Sequence, residues 1–220
     1  MSAVTALIKK EILLEFRQKH ALAGVLVYVL ATVFVCYLSF QKIEETQIWG
    51  ALLWITGVFT AFNAMQKTFY SEKPGTQFYM YTLANPAHVI LSKLIYNALT
   101  VAMLNVISLF FFILFFGTKV LDQADVLQML TGILLGSTGL GFSLTFAGSL
   151  AFKSGSGTGL VAILGFPLII PLLITMVRHT SSSLTGVSWE LNGLNLVVLF
   201  VLNLLPLVLG YILFPYIWRE

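Results

Sequence analysis

Six stretches of this chain, 21–40, 48–65, 94–116, 126–152, 158–177 and 194–218, contain no aspartate, glutamate, lysine, arginine or histidine. Each has about the length, ~20 residues, that a helix needs to cross a bilayer. Lipid offers the backbone no hydrogen-bonding partner, so only helices or closed barrels can span it. Barrel strands are about 10 residues long and alternate in polarity. These runs are longer and continuous, so the expected fold is all-α and integral to the membrane, with six transmembrane helices in one domain over 1–220. Composition agrees. The chain is 58% hydrophobic and 10% charged, where a soluble domain carries about 25% charged residues.

The same numbers exclude several classes. A net charge of +3, with no basic run interleaved with aromatics, points to no nucleic-acid partner. Cys36 is the only cysteine, which rules out an intrachain disulfide and CxxC chemistry. The first apolar run starts about 20 residues in and is long enough to span, so it reads as retained rather than cleaved.

Residues 1–19 place Val4, Leu7, Ile8, Ile12 and Phe16 at helical spacing among Lys9, Lys10, Arg17 and Lys19. This is the pattern of an interfacial helix, although Glu11 and Glu15 project near its apolar side. Basic residues set the orientation. Lys9, Lys10, Arg17, Lys19, Lys67, Lys73, Lys93, Lys153 and Arg219 fall on one side; Lys42, Lys119 and Arg178 fall on the other. Both termini and the 71–93 connection are therefore expected in the cytoplasm. The opposite segments are 41–47, 117–125 and 178–193.

The 71–93 connection, SEKPGTQFYMYTLANPAHVILSK, is polar at its ends and apolar in the middle. Such a segment suits a coupling helix gripped by another protein. Phe78, Tyr81, Leu83, Pro86 and Val89 are the expected docking contacts, because buried aromatic and apolar anchors dominate interfaces of this kind.

Inside the spans, Gly132, Gly136, Gly139 and Gly141 offer close helix packing, within one subunit rather than at a dimer face. Pro167 and Pro171 predict a kink or break, and a candidate hinge. Asn63, Asn97, Asn105, Ser108, Ser143, Thr145 and Asn203 read as cross-links between helices rather than a polar path. The lack of ionisable groups in the runs argues against a proton-driven pump. The KSGSG turn at 153–157 lacks the order of a nucleotide loop, so any ATP energy must come from another chain. His20, His88 and His179 read as solvated rim residues rather than haem ligands. No metal site and no cofactor bound by the chain's own residues is expected.

These features resemble the membrane subunit of an ABC-2-type exporter. More narrowly, KKEILLEFRQKHALAG near the start, YTLANPAHVILSK after Gly75, and STGLGFSLTFAGSLAFKSGSGTGLVAILGFPLIIPLLI at 137–174 resemble the haem exporter B (CcmB) family. After Gly75 the chain reads TQFYMYTL, where family members often carry an acidic, leucine- and glutamate-rich stretch. The resemblance implies a bacterial inner-membrane permease subunit of the cytochrome c maturation system, with haem as substrate. It implies as partners a cytoplasmic ABC ATPase subunit that uses ATP, a second copy of the chain, a haem-handling membrane protein, a small single-span subunit and a periplasmic haem chaperone. Two other readings stay open: an exporter permease for a lipid or drug, and a non-transporting membrane scaffold.

Overall fold

The computed structural model describes residues 3–17, 19–40, 43, 45–70, 85–153 and 157–219. Seven α-helices account for most of them: α1 Ala3–Arg17, α2 Lys19–Phe40, α3 Thr46–Tyr70, α4 Pro86–Phe116, α5 Val126–Lys153, α6 Gly157–Leu184 and α7 Trp189–Arg219. A short 3-10 turn, Lys119–Leu121, lies between α4 and α5. Helices α2 to α7 are long and apolar enough to cross a membrane. Side chains such as Val27, Phe110, Ile163 and Leu191 point outward. In water they would form a sticky surface; in lipid they match the solvent.

The helices outrun the apolar runs. α4 begins at Pro86 rather than at residue 94, α6 continues to Leu184 rather than 177, and α7 begins at Trp189 rather than 194. Most of the expected outer segment 178–193 is therefore helical. A charge-free run stops at the first ionisable side chain, whereas a helix stops where the backbone turns. At the start of α4, Asn85 is extended (φ −66°, ψ 128°) and its side chain accepts from the Ala87 N–H at 3.0 Å. Pro86 follows in the first turn, where a missing N–H costs nothing. At the far end Gly117 takes φ 81° and donates its N–H to the Ile113 carbonyl at 2.9 Å. Gly186, with φ 70°, turns the chain after α6. Lys67, Lys93, Arg178 and His179 consequently sit on helices.

α5 is the centre of the bundle, packed against α3, α4, α6 and α7. Its glycines make this approach close. A Cβ on Gly141 would lie 2.5 Å from the Ala98 Cα of α4. One on Gly136 would meet Met176 of α6 and Trp54 of α3, and one on Gly139 would meet Asn203 of α7 and Leu172 of α6. One on Gly132 would enter the His179 ring. Side-chain amides add polar pins. Asn97 donates to the Thr145 hydroxyl at 2.7 Å, Asn105 to the Ser137 hydroxyl at 2.9 Å, and Asn203 to the Leu135 carbonyl at 3.0 Å. Asn63 differs: among the described residues its amide bonds the Phe59 carbonyl of its own helix rather than a neighbouring one. α6 runs unbroken through Pro167 and Pro171, so the expected break is absent. Neighbouring helices in a membrane bundle tolerate such prolines.

A polar network closes the end of the bundle away from 71–84. Asn192 Nδ2 of α7 lies 2.8 Å from Gln128 Oε1, 3.1 Å from Ser183 Oγ and 3.2 Å from the His179 carbonyl, so its two N–H groups are shared among three acceptors. Asp125 caps α5 by accepting from the Gln128 N–H at 3.0 Å, and also accepts from Trp189 Nε1 at 2.6 Å. Replacing Asn192 with alanine removes the two N–H donors that join α7 to α5 and α6. At about 0.6 kcal/mol per interhelical bond, the expected loss is roughly 1 kcal/mol. Thermal unfolding in mild detergent should show it, with Asn63→Ala close to wild type. Equal melting of the two variants would refute the network's role.

Candidate functional site

At the opposite end, where the chain leaves α3 and returns through α4, α1 packs on α4 and α2. Glu11 and Glu15 are four residues apart and so share a helix face. Glu15 Oε1 accepts from Lys67 Nζ, in the last turn of α3. Glu11 Oε1 lies 3.8 Å from Lys93 Nζ on α4 and 3.4 Å from Lys10 Nζ. The Lys93 ammonium also stands 5.4 Å from the centroid of the Phe69 ring, a cation–π distance. These four charged side chains are only 8–18% exposed. Two acids face two bases, so each burial cost is offset by a partner of opposite sign.

Lys67 lies just before the 71–84 connection and Lys93 just after it. α1 is therefore ionically fastened to both helices that carry the connection. The two glutamates that spoil the amphipathic pattern of α1 are the residues that make this junction. Their spacing of four was the available signal; the identity of their partners was not, because it depends on how α3 and α4 are placed.

Of the five expected docking residues, Phe78, Tyr81 and Leu83 lie outside the described residues. Pro86 and Val89 are not on a separate short helix; they open α4. Pro86 is partly exposed, but Val89 is 5% exposed and packed within the chain. Val89 thus presents little surface to a partner. Ile90, next to it, packs with Leu94, Phe146 and Phe214.

The histidines do not converge. His88 is half-buried in the first turn of α4. His20 is on α2, its side chain outside the described ones. His179 is not solvated as expected of a rim residue, because it is fully buried in α6. Its Nε2 bonds the Gln128 carbonyl at 3.0 Å. A carbonyl only accepts, so Nε2 is the donor in that bond, and Nδ1 has no hydrogen-bond partner among the described residues. No group of three histidine, cysteine or carboxylate side chains forms a metal site among the described residues.

The described residues thus give six helices long enough to span and a junction of largely buried charge at one end of the bundle. The family model described as CcmB protein matches residues 2–214, from the start of α1 into the last turns of α7. The chain belongs to the CcmB family. A search of curated proteins finds no match. Membership in CcmB makes the chain a membrane component of the haem-export and cytochrome c maturation ABC system. It is a transporter permease subunit of the inner membrane that works with an ATPase partner, rather than a catalytic enzyme.

Proposed function

We propose that this CcmB chain couples ATP hydrolysis on a separate cytoplasmic ATPase subunit to haem export, or to release of the haem-loaded periplasmic chaperone. Both termini and the 71–93 connection face the cytoplasm, and the connection docks on the ATPase. Two copies of the chain work with two ATPase subunits, alongside the haem-handling membrane protein and the single-span subunit. Haem is the substrate, and ATP is consumed through the partner. Pro167 and Pro171 serve as the hinge.

The observation that carries this reading is the junction at the base. A push on the connection passes along the chain into α3 and α4, and the Lys67–Glu15 and Lys93–Glu11 pairs tie both helices to α1. Tyr81→Asp is expected to abolish co-purification of the ATPase while the chain stays inserted in the membrane. Normal ATPase yield with this variant would overturn the docking assignment. Deletion of the chain is expected to remove holo-cytochrome c; unchanged holo-cytochrome c would favour export of a lipid or drug. A mere scaffold would work equally well with an ATPase unable to hydrolyse ATP.

A further inference from the structure

A second polar layer lies one turn above the ionic junction. Thr68 follows Lys67 in the last turn of α3, and Asn97 stands four residues beyond Lys93 on α4, about one turn farther along that helix. Thr145 faces them from α5. All three side chains are buried: Asn97 is 1% exposed, Thr145 0% and Thr68 9%. Asn97 Nδ2 donates to Thr145 Oγ1 at 2.7 Å, and Asn97 Oδ1 lies 3.3 Å from Thr68 Oγ1. One amide therefore holds α3 and α5 at once.

The roles of its two ends follow from counting protons. Thr145 Oγ1 gives its single proton to the Gly141 carbonyl at 2.6 Å, so toward Asn97 it accepts. The amide nitrogen must face α5, which leaves Oδ1 to accept from Thr68. The Thr68 hydroxyl has one proton and two acceptors, Asn97 Oδ1 and the Ala64 carbonyl of its own helix at 3.1 Å. The α5 arm is thus the firmer of the two. Gly141, whose carbonyl takes the Thr145 proton, is also the residue packed on the backbone of Ala98. Hydrogen bond and backbone contact clamp the same turn of α4 to α5.

Packing alone would keep these helices together. An amide adds direction, because apolar surfaces can roll over one another while a buried polar group that loses its partner pays for it in lipid. We infer that Asn97 is a positioning residue of the transport cycle, which passes displacement of the two helices flanking the 71–84 connection into α5. This rests on the coupling reading above and names the side chain through which the stroke enters the centre of the bundle. Lys67 and Lys93 tie α3 and α4 to α1. Asn97 ties the same pair to the helix that packs on α3, α4, α6 and α7.

The test separates direction from stability. Asn97→Leu combined with Thr145→Val replaces both partners by apolar groups of similar shape, and the Thr68 hydroxyl keeps the Ala64 carbonyl. No polar group is stranded, so the double variant should melt with wild type in mild detergent. In membranes it should still co-purify the ATPase and support ATP hydrolysis at the wild-type rate. Holo-cytochrome c per ATP hydrolysed should nevertheless fall about fivefold, the order expected for two interhelical bonds. Thr145→Ser keeps the acceptor and should keep the wild-type ratio, and Thr68→Val, which cuts the softer arm, should lower it less than the double variant does. A double variant that melts with wild type and matures cytochrome c at the wild-type ratio overturns the inference and leaves the coupling reading standing. So does a double variant whose melting and yield fall together, since Asn97 is then a packing pin. If wild type matures cytochrome c equally well beside an ATPase unable to hydrolyse ATP, the coupling reading itself falls and takes this inference with it.

Discussion

Gly141→Leu is expected to leave almost no folded chain. The first added carbon would stand 2.5 Å from the Ala98 Cα and 3.0 Å from the Ala98 nitrogen. Those are backbone atoms and cannot rotate aside, so α4 and α5 would have to separate. Overpacking of cores costs about 1–3 kcal/mol, and a clash with backbone belongs at or beyond the upper end. Separation would also strain the Asn97–Thr145 and Asn105–Ser137 bonds on either side. Fluorescence-detected size exclusion should show collapse of the monodisperse peak. Gly24→Leu is the control, because nothing lies within 4 Å of a Cβ there. A normal peak and unchanged melting for Gly141→Leu would mean that α4 and α5 are not packed as described.

Reversing one charge at the base is expected to release α1, and reversing its partner as well to recapture it. In Glu15→Lys, the added ammonium faces Lys67 in a setting where both side chains are less than 20% exposed. The pair is neither deeply buried nor at the surface, so the expected loss is on the order of 2 kcal/mol, between the two limits. α1 should then become sensitive to protease in membranes, while α2 to α7 remain protected. Glu15→Lys combined with Lys67→Glu should restore protection. The functional reading adds a second outcome: the single variant should lower holo-cytochrome c several-fold, and the double variant should recover most of it. If the double variant remains as protease-sensitive as the single, the pair is not what holds α1.

The fold was legible because lipid leaves the backbone few choices. Six charge-free runs required six helices, and the sequence was enough to locate each one. Their ends were less legible. Arg178 and His179 look like the start of a loop when charge marks the border, yet the helix passes through both. Asn192 falls before the run 194–218 for the same reason, whereas Gln128 lies inside the run 126–152 and its partners became visible only when α7 packed beside it. The base shows a different limit. Glu11 and Glu15 were visible as a flaw in the pattern of α1, but Lys67 and Lys93 were simply loop-side cations until packing brought them close. In the middle of the membrane, residue type was informative. Asn97, Asn105 and Asn203 have little to do in lipid except reach another helix, and each of them does.

The glycine contacts along α5 also limit how this bundle can move. Each one is a socket matched to a particular protrusion on a neighbour: the Ala98 backbone, Met176, Leu172 and the His179 ring. Sliding α5 by a single residue would bring a larger side chain of α5 opposite a protrusion on several flanks at once. Such a joint resists piston strokes and permits rocking. A force delivered at the base would therefore tilt the inner helices as a block, with α2, held only at the periphery, carried along like an outrigger.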